Sequence, residues 1–136
     1  MIEQFCNELN GYLQKTYSYK RPPAYCCNNN KTINAFRSKF DLYFRYKPGD
    51  ENKLVIARIG FKEQNKGHGT RLLKFISEIV ELHDIEIITL ECVNKNSFSF
   101  GIKMGFTDIG KGNMMISSKE LIDKFQIKES VSKHQT

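Results

Sequence analysis

Between Lys53 and Leu73 the chain reads KLVIARIGFKEQNKGHGTRLL: an apolar stretch, a polar turn holding two glycines, and a renewed apolar periodicity. The residues that could do chemistry there are Gln64, Asn65, Lys66, Gly67, His68, Gly69, Thr70 and Arg71. Glycine lets the backbone come close to a ligand and turn its amides outward. A helix starting just after it adds unpaired N–H groups and the positive end of a dipole, so turn and helix start together suit a phosphate. The same pattern also serves as a plain strand-to-helix turn with no ligand. Glycine is common enough that only context separates the two. His68 reads as a loop residue near phosphate, not as a catalyst.

Composition bounds what this turn can belong to. The chain has 136 residues, 40% hydrophobic and 26% charged, which suits a single soluble globular domain. No apolar run approaches a membrane span and no secretory leader is expected. The four cysteines, Cys6, Cys26, Cys27 and Cys92, lack zinc-site spacing. Two of them are adjacent, a poor disulfide framework, so a reducing cytoplasm is the expected setting. Net charge is +6, and residues 19–39 carry Lys20, Arg21, Lys31, Arg37 and Lys39 with no acid. Such a basic, aromatic-interleaved segment is either a solvated loop or a surface for an anionic partner.

The elements that must position the turn follow from periodicity. Residues 2–17 predict an amphipathic helix, weakened at Gly11. Pro22-Pro23 and Asn28-Asn29-Asn30 predict a loop over 20–30. Thr32 to Lys39 predicts a short second helix with Ile33 and Phe36 inward. From Phe40 the period becomes two, so Phe40 to Tyr46 is a strand, turning at Pro48-Gly49-Asp50 into a partner at Leu54 to Ile59. Thr70 to His83 predicts a helix that ends on His83 as a capping or dipole-compensating residue. Ile85 to Val93 is rich in β-branched residues and predicts a central strand parallel to the one before the turn. Asn94 to Met104 predicts a short helix ended by Gly105. Then come a hairpin at 106–109 and 113–117, and a last helix that starts at Ser117 or Ser118 and gives way to disorder beyond Ile127.

This order resembles the GNAT superfamily of acyl-CoA-dependent N-acetyltransferases. Three motifs carry the resemblance: Gln64-x-x-Gly67-x-Gly69, Leu90-Glu91-Cys92 with Asn96 five residues beyond Glu91, and Lys103-Met104-Gly105-Phe106. The match covers roughly Phe40 to Ser117. The resemblance implies an α/β (α+β) fold: three layers, with a central mixed sheet whose parallel strand pair is splayed and flanked by helices. Residues 1–117 would form one acetyltransferase domain and 118–136 a helix and flexible tail.

The activity implied is acetyl transfer from acetyl-CoA, as co-substrate and without a metal, to a primary amine by direct attack. Backbone groups of Ala57, Arg58, Ile59 and Phe61 would pair with the pantetheine as an added strand. Amides from Asn65 to Thr70 would hold the pyrophosphate, with Lys66 and Arg71 adding charge, and Asn96 would bond the pantetheine arm. Asn94 is the rival for that role. Glu91 is the candidate general base, against a bland alternative in which it is a solvent-facing strand-end carboxylate paired with a lysine; Glu63 is a weaker candidate. The tyrosine that often protonates the leaving thiolate in this family is replaced by Gly101. Water, or a hydroxyl from Ser97, Ser99 or Tyr43, could substitute, or the protein binds acyl-CoA without catalysis. The acceptor is expected to be a small molecule, a peptide or an aminoacyl-tRNA, carrying negative charge if the basic segment forms the acceptor wall. No membrane partner is expected.

Overall fold

The computed structural model describes residues 2–27, 29, 31–92 and 94–134, with the side chains of 127–134 excepted. A first helix, α1 (Ile2–Tyr17), leads into four antiparallel strands, β1 (Ala24–Cys27), β2 (Thr32–Arg37), β3 (Phe40–Lys47) and β4 (Lys53–Phe61). A turn enters α2 (His68–Ile79), followed by a 3-10 turn at Glu81–His83, strand β5 (Ile87–Glu91) and α3 (Lys95–Lys103). Strands β6 (Thr107–Gly110) and β7 (Asn113–Ser117) form a hairpin, and α4 (Ser118–His134) closes the chain. The seven strands make one sheet in the order β1-β2-β3-β4-β5-β7-β6, in which β4 and β5 are the parallel pair.

The register explains the core. Ile33, Ala35, Phe40, Leu42, Phe44, Leu54, Ile56, Ile88, Leu90, Met114 and Ile116 fall on one face of the sheet and are buried. On that face α1 lays Phe5 edge-on to Phe44, and its Tyr12 stacks on Phe75 of α2. Gly101 of α3 sits against Leu90 and Met114, and Gly105 against Ile116 and Lys124 of α4. As the resemblance implies, helices flank the mixed sheet, and these contacts of α1, α2 and α3 lie on this face. The other face is part-exposed, with Tyr25 and Phe36 56% and 67% accessible.

Several sequence expectations need correction. Thr32–Arg37 is a strand, not a helix: β-branched Thr32 and Ile33 and the alternation of buried Ile33 and Ala35 with Asn34 and Phe36 pair it with β3 through a turn at Ser38-Lys39. The predicted loop contains β1, whose edge is covered by α1. The buried Asn10 amide donates to Ala24 O (2.9 Å) and accepts from Ala24 N (2.7 Å), acting as one more rung of the ladder. Helix α2 starts two residues early, at His68, and stops at Ile79. His83, expected as a capping or dipole-compensating residue, ends the 3-10 turn but is buried, edge-on to Phe5, with Nε2 3.0 Å from the Glu8 carboxylate of α1. Strand β5 is shorter than predicted at its start, and Val93 lies outside the described residues, as do Asn28, Asn30, Gln135 and Thr136. α4 runs beyond Ile127 to His134.

Candidate functional site

The site begins where two strands part. β4 and β5 pair from Lys53–Ile87 to Ile56–Leu90 and no further, while β4 runs on to Phe61. Where the pairing stops, the register to β3 shifts: Phe44 faces Ile56 and Tyr43 faces Arg58, so Ala57 is the extra residue of a β-bulge. A bulge leaves one residue out of the ladder and turns its backbone. Ala57, Arg58, Ile59 and Phe61 therefore lie along a β4 edge with no β5 partner, and such an edge can accept another extended chain.

That edge leads into the polar turn. Lys62 to Gly67 are exposed, so Glu63, Gln64, Asn65 and Lys66 all face solvent. Asn65 (φ 61°) and Gly67 (φ 79°) take the left-handed conformation, and α2 starts after Gly67 without a side-chain cap, leaving its first amides open. The two glycines have different causes. Gly67 supplies the positive φ, and the Arg71 guanidinium folds back to within 3.0 Å of where a Cβ would stand. Gly69 makes room for the Phe100 ring of α3, which would be 2.9 Å from a Cβ there. Thr70, next along, donates its hydroxyl to Met104 Sδ at 3.5 Å and ties α2 to α3.

His68 is more firmly placed than a loop residue. Its Nδ1 faces both the Tyr17 hydroxyl (2.9 Å) and Arg71 Nη2 (3.1 Å). A guanidinium only donates, so this network assigns Nδ1 as acceptor and the ring proton to Nε2. The ring stacks on Phe61 at 5.3 Å. Burial pushes the Tyr17 phenol up to about 12, keeping the hydroxyl protonated and able to donate.

Across the gap, Glu91 ends β5 on the part-exposed face of the sheet. Its Oε1 is paired with Arg45 Nη2 of β3, side chains being 34% and 33% exposed. Glu91 thus has the cation partner of the bland alternative, but it is an arginine on β3 and not a lysine. A pair so open to water contributes roughly 1 kcal/mol or less to stability, so its position is more informative than its strength. Asn94 is the N-cap of α3: its side chain accepts from Ser97 N (2.9 Å), in a reciprocal capping box with the Ser97 hydroxyl. Asn94 and Ser97 are therefore occupied locally. Asn96 is exposed, and at four residues before Phe100 it shares the helix face that meets the start of α2. Gly101 does not face the gap. A Cβ there would stand 2.4 Å from Met114 Sδ and 3.2 Å from Leu90, so this position belongs to the core.

The structure thus sets Ala57 to Phe61 in line with the turn and the start of α2, puts Glu91 level with the Ala57 bulge, carries Asn96 on the α3 face that meets the start of α2, and turns Gly101 into the core. Part of the basic segment serves the fold: Lys39 donates to Tyr17 O at 2.9 Å and lies over the Tyr19 ring. Arg45, Tyr17 and Phe100 were missed. Arg45 had a signal, being the outward polar residue of an alternating strand; Tyr17 had none, since its partner lies 51 residues away. Among the described residues no group of three His, Cys, Asp or Glu could hold a metal ion.

No protein-family model matches this sequence, and none of the curated proteins matches it. Solved structures match its fold. The crystal structure of AtaTR bound with AcCoA shares 13% identity over 69% of this chain and 71% of that one, with a TM-score of 0.53. The KacTA–DNA complex shares 12% identity over 88% and 85%, with a TM-score of 0.54. A putative GNAT-family acetyltransferase from Desulfovibrio desulfuricans shares 15% identity over 64% and 67%, with a TM-score of 0.52. This chain has a GNAT-like fold: a mixed sheet with one parallel pair, flanked by four helices.

Proposed function

We propose that this chain is an N-acetyltransferase that moves an acetyl group from acetyl-CoA to a primary amine by direct attack. One observation carries the proposal: the β4 edge that opens at the Ala57 bulge runs straight into an exposed left-handed turn and an uncapped helix start, with a carboxylate at the mouth of the gap. That is the shape of a thioester with a phosphate at one end and an amide-bearing arm at the other. Amides from Asn65 to Thr70 hold the pyrophosphate, helped by Lys66 and by Arg71 once its guanidinium turns out from Gly67. Ala57, Arg58, Ile59 and Phe61 pair with the pantetheine, and Asn96 bonds the same arm. The amide at the bulge polarises the thioester carbonyl. Glu91, through its second oxygen or through water, takes the proton of the acceptor ammonium. The leaving thiolate has a pKa near ~8.5 and takes its proton from water: no hydroxyl stands at position 101, Ser97 is held in the α3 cap, Ser99 is exposed and the Tyr43 ring lies against Arg58. The setting is the reducing cytoplasm, in keeping with four free cysteines.

Thiol release from acetyl-CoA across a panel of amines tests this. Turnover of at least one amine is expected, and Glu91→Gln lowers kcat by a factor of about 10² or more. A second reading, acyl-CoA binding without catalysis, is favoured by the buried Gly101 and by the Arg45–Glu91 pair. Tight CoA binding with no thiol release from any amine is the result that supports it.

A further inference from the structure

Arg45 gives the acceptor side of the gap a chemical character. The register pairs Arg45 with Val55, and Val55 with Thr89. Glu91 stands two residues past Thr89 on the same face, level with the Ala57 bulge. To meet that carboxylate the Arg45 side chain must cross β4 where β4 and β5 part. A guanidinium and a carboxylate thus lie together at the mouth of the gap, on the part-exposed face, each a third open to water: 33% and 34%. The neighbouring pair on this face, Arg58 and Asp41 at 3.2 Å, lies beyond the bulge, with Arg58 over the Tyr43 ring at 4.9 Å.

We propose that the Arg45–Glu91 pair is the acceptor's recognition site and selects a zwitterion: an amine with a carboxylate on the same or the adjacent carbon. The proposal rests on the acetyl-transfer reading above and names its substrate class. An ammonium that takes Glu91 alone leaves the guanidinium without its anion and beside another cation. An acceptor that carries its own carboxylate replaces both halves at once. Its ammonium takes Glu91 and its carboxylate takes the planar fork of Arg45 through two parallel N–H bonds. The two protein charges are in direct contact, so the ligand's charges must be a few bonds apart, which describes α- and β-amino acids and excludes polyamines. In the reaction one ammonium proton leaves through Glu91 to water. The nitrogen then bonds to the acyl carbon, the C–S bond breaks with its electron pair on sulfur, and the second proton lost by nitrogen balances the one the thiolate takes up.

The test compares free amino acids with their amides and with alkylamines of the same length, by thiol release from acetyl-CoA. The native protein is expected to prefer the acids by about tenfold or more in kcat/KM, the size of one charged hydrogen-bonded contact. Arg45→Met brings that ratio to near one, chiefly by raising KM for the acids, and Arg45→Lys restores part of it. A native protein that treats acid and amide alike overturns the proposal, as does an Arg45→Met variant that slows both equally. If no amine is acetylated, the transfer reading fails by itself, and calorimetry with the amino acid and CoA decides the zwitterion site. Binding to the native protein but not to Arg45→Met supports it, and absence of binding overturns it.

Discussion

Gly101 shows how a single residue type can mislead. Set beside the family pattern, it looks like a lost catalytic hydroxyl. In the structure it is a packing glycine, because a Cβ would stand 2.4 Å from Met114 Sδ and 3.2 Å from Leu90. Gly101→Ala is therefore expected to cost about 1–3 kcal/mol by overpacking, despite alanine's better helix propensity, and Gly101→Tyr more. Urea unfolding of the two variants checks this; a stabilised Gly101→Ala would contradict it. Two other residues make stability depend on alkaline pH. Burial pushes the Tyr17 phenol up to about 12, and burial, with the Cys26 thiol beside it, pushes Cys6 up to about 12. In both cases the protonated form is favoured by folding. The stability they contribute is complete below the unfolded values, near 9 for Cys6 and 10 for Tyr17, and is lost as pH rises toward 12. Melting temperature should fall over that window, and Cys6→Ala should flatten the part that starts near pH 9. An unchanged slope in the variant would show that Cys6 has no such role.

Among the elements, the β1 edge rests on Asn10. Its amide meets both the N–H and the C=O of Ala24. Asn10→Leu leaves two buried backbone groups without partners and is expected to cost about 2–6 kcal/mol, from about 1–3 for each group. Hydrogen exchange should then show β1 opening before the rest of the sheet, and uniform exchange would contradict this. The strands with a clean alternation or dense β-branching, β3 and β5, were legible in the sequence, and so were the turn and the helix after it. β1 and β2 were not. Pro22-Pro23 and the asparagine run masked a four-residue strand, and Ile33 with Phe36 matched helical spacing by coincidence. What fixed them as strands was pairing with β3, which no local window contains. At the site, the exposed turn before α2 was legible because its glycine spacing is local. The Arg45 partner of Glu91, the Tyr17 partner of His68 and the Phe100 neighbour of Gly69 were not, since each lies on another element.

For the molecule as a whole, the account makes one β-sheet do two jobs. Its helix-covered face supplies the core, and in the proposed reading the gap between its parallel strands would seat the cofactor arm, with the acceptor pair at its open mouth. If acetyl-CoA occupies that seat, the folded state gains about 2.7 kcal/mol when ligand is at a hundred times its Kd, and melting should rise with concentration. Where the ligand sits is the sharper question. Titrating acetyl-CoA into isotopically labelled protein and following the backbone amide resonances answers it directly. The account predicts the largest shifts along Ala57 to Phe61 and Asn65 to Arg71, with smaller ones at Asn96 and Glu91. Absence of binding at millimolar acetyl-CoA, or shifts confined to the surface between α2 and α4, would contradict it.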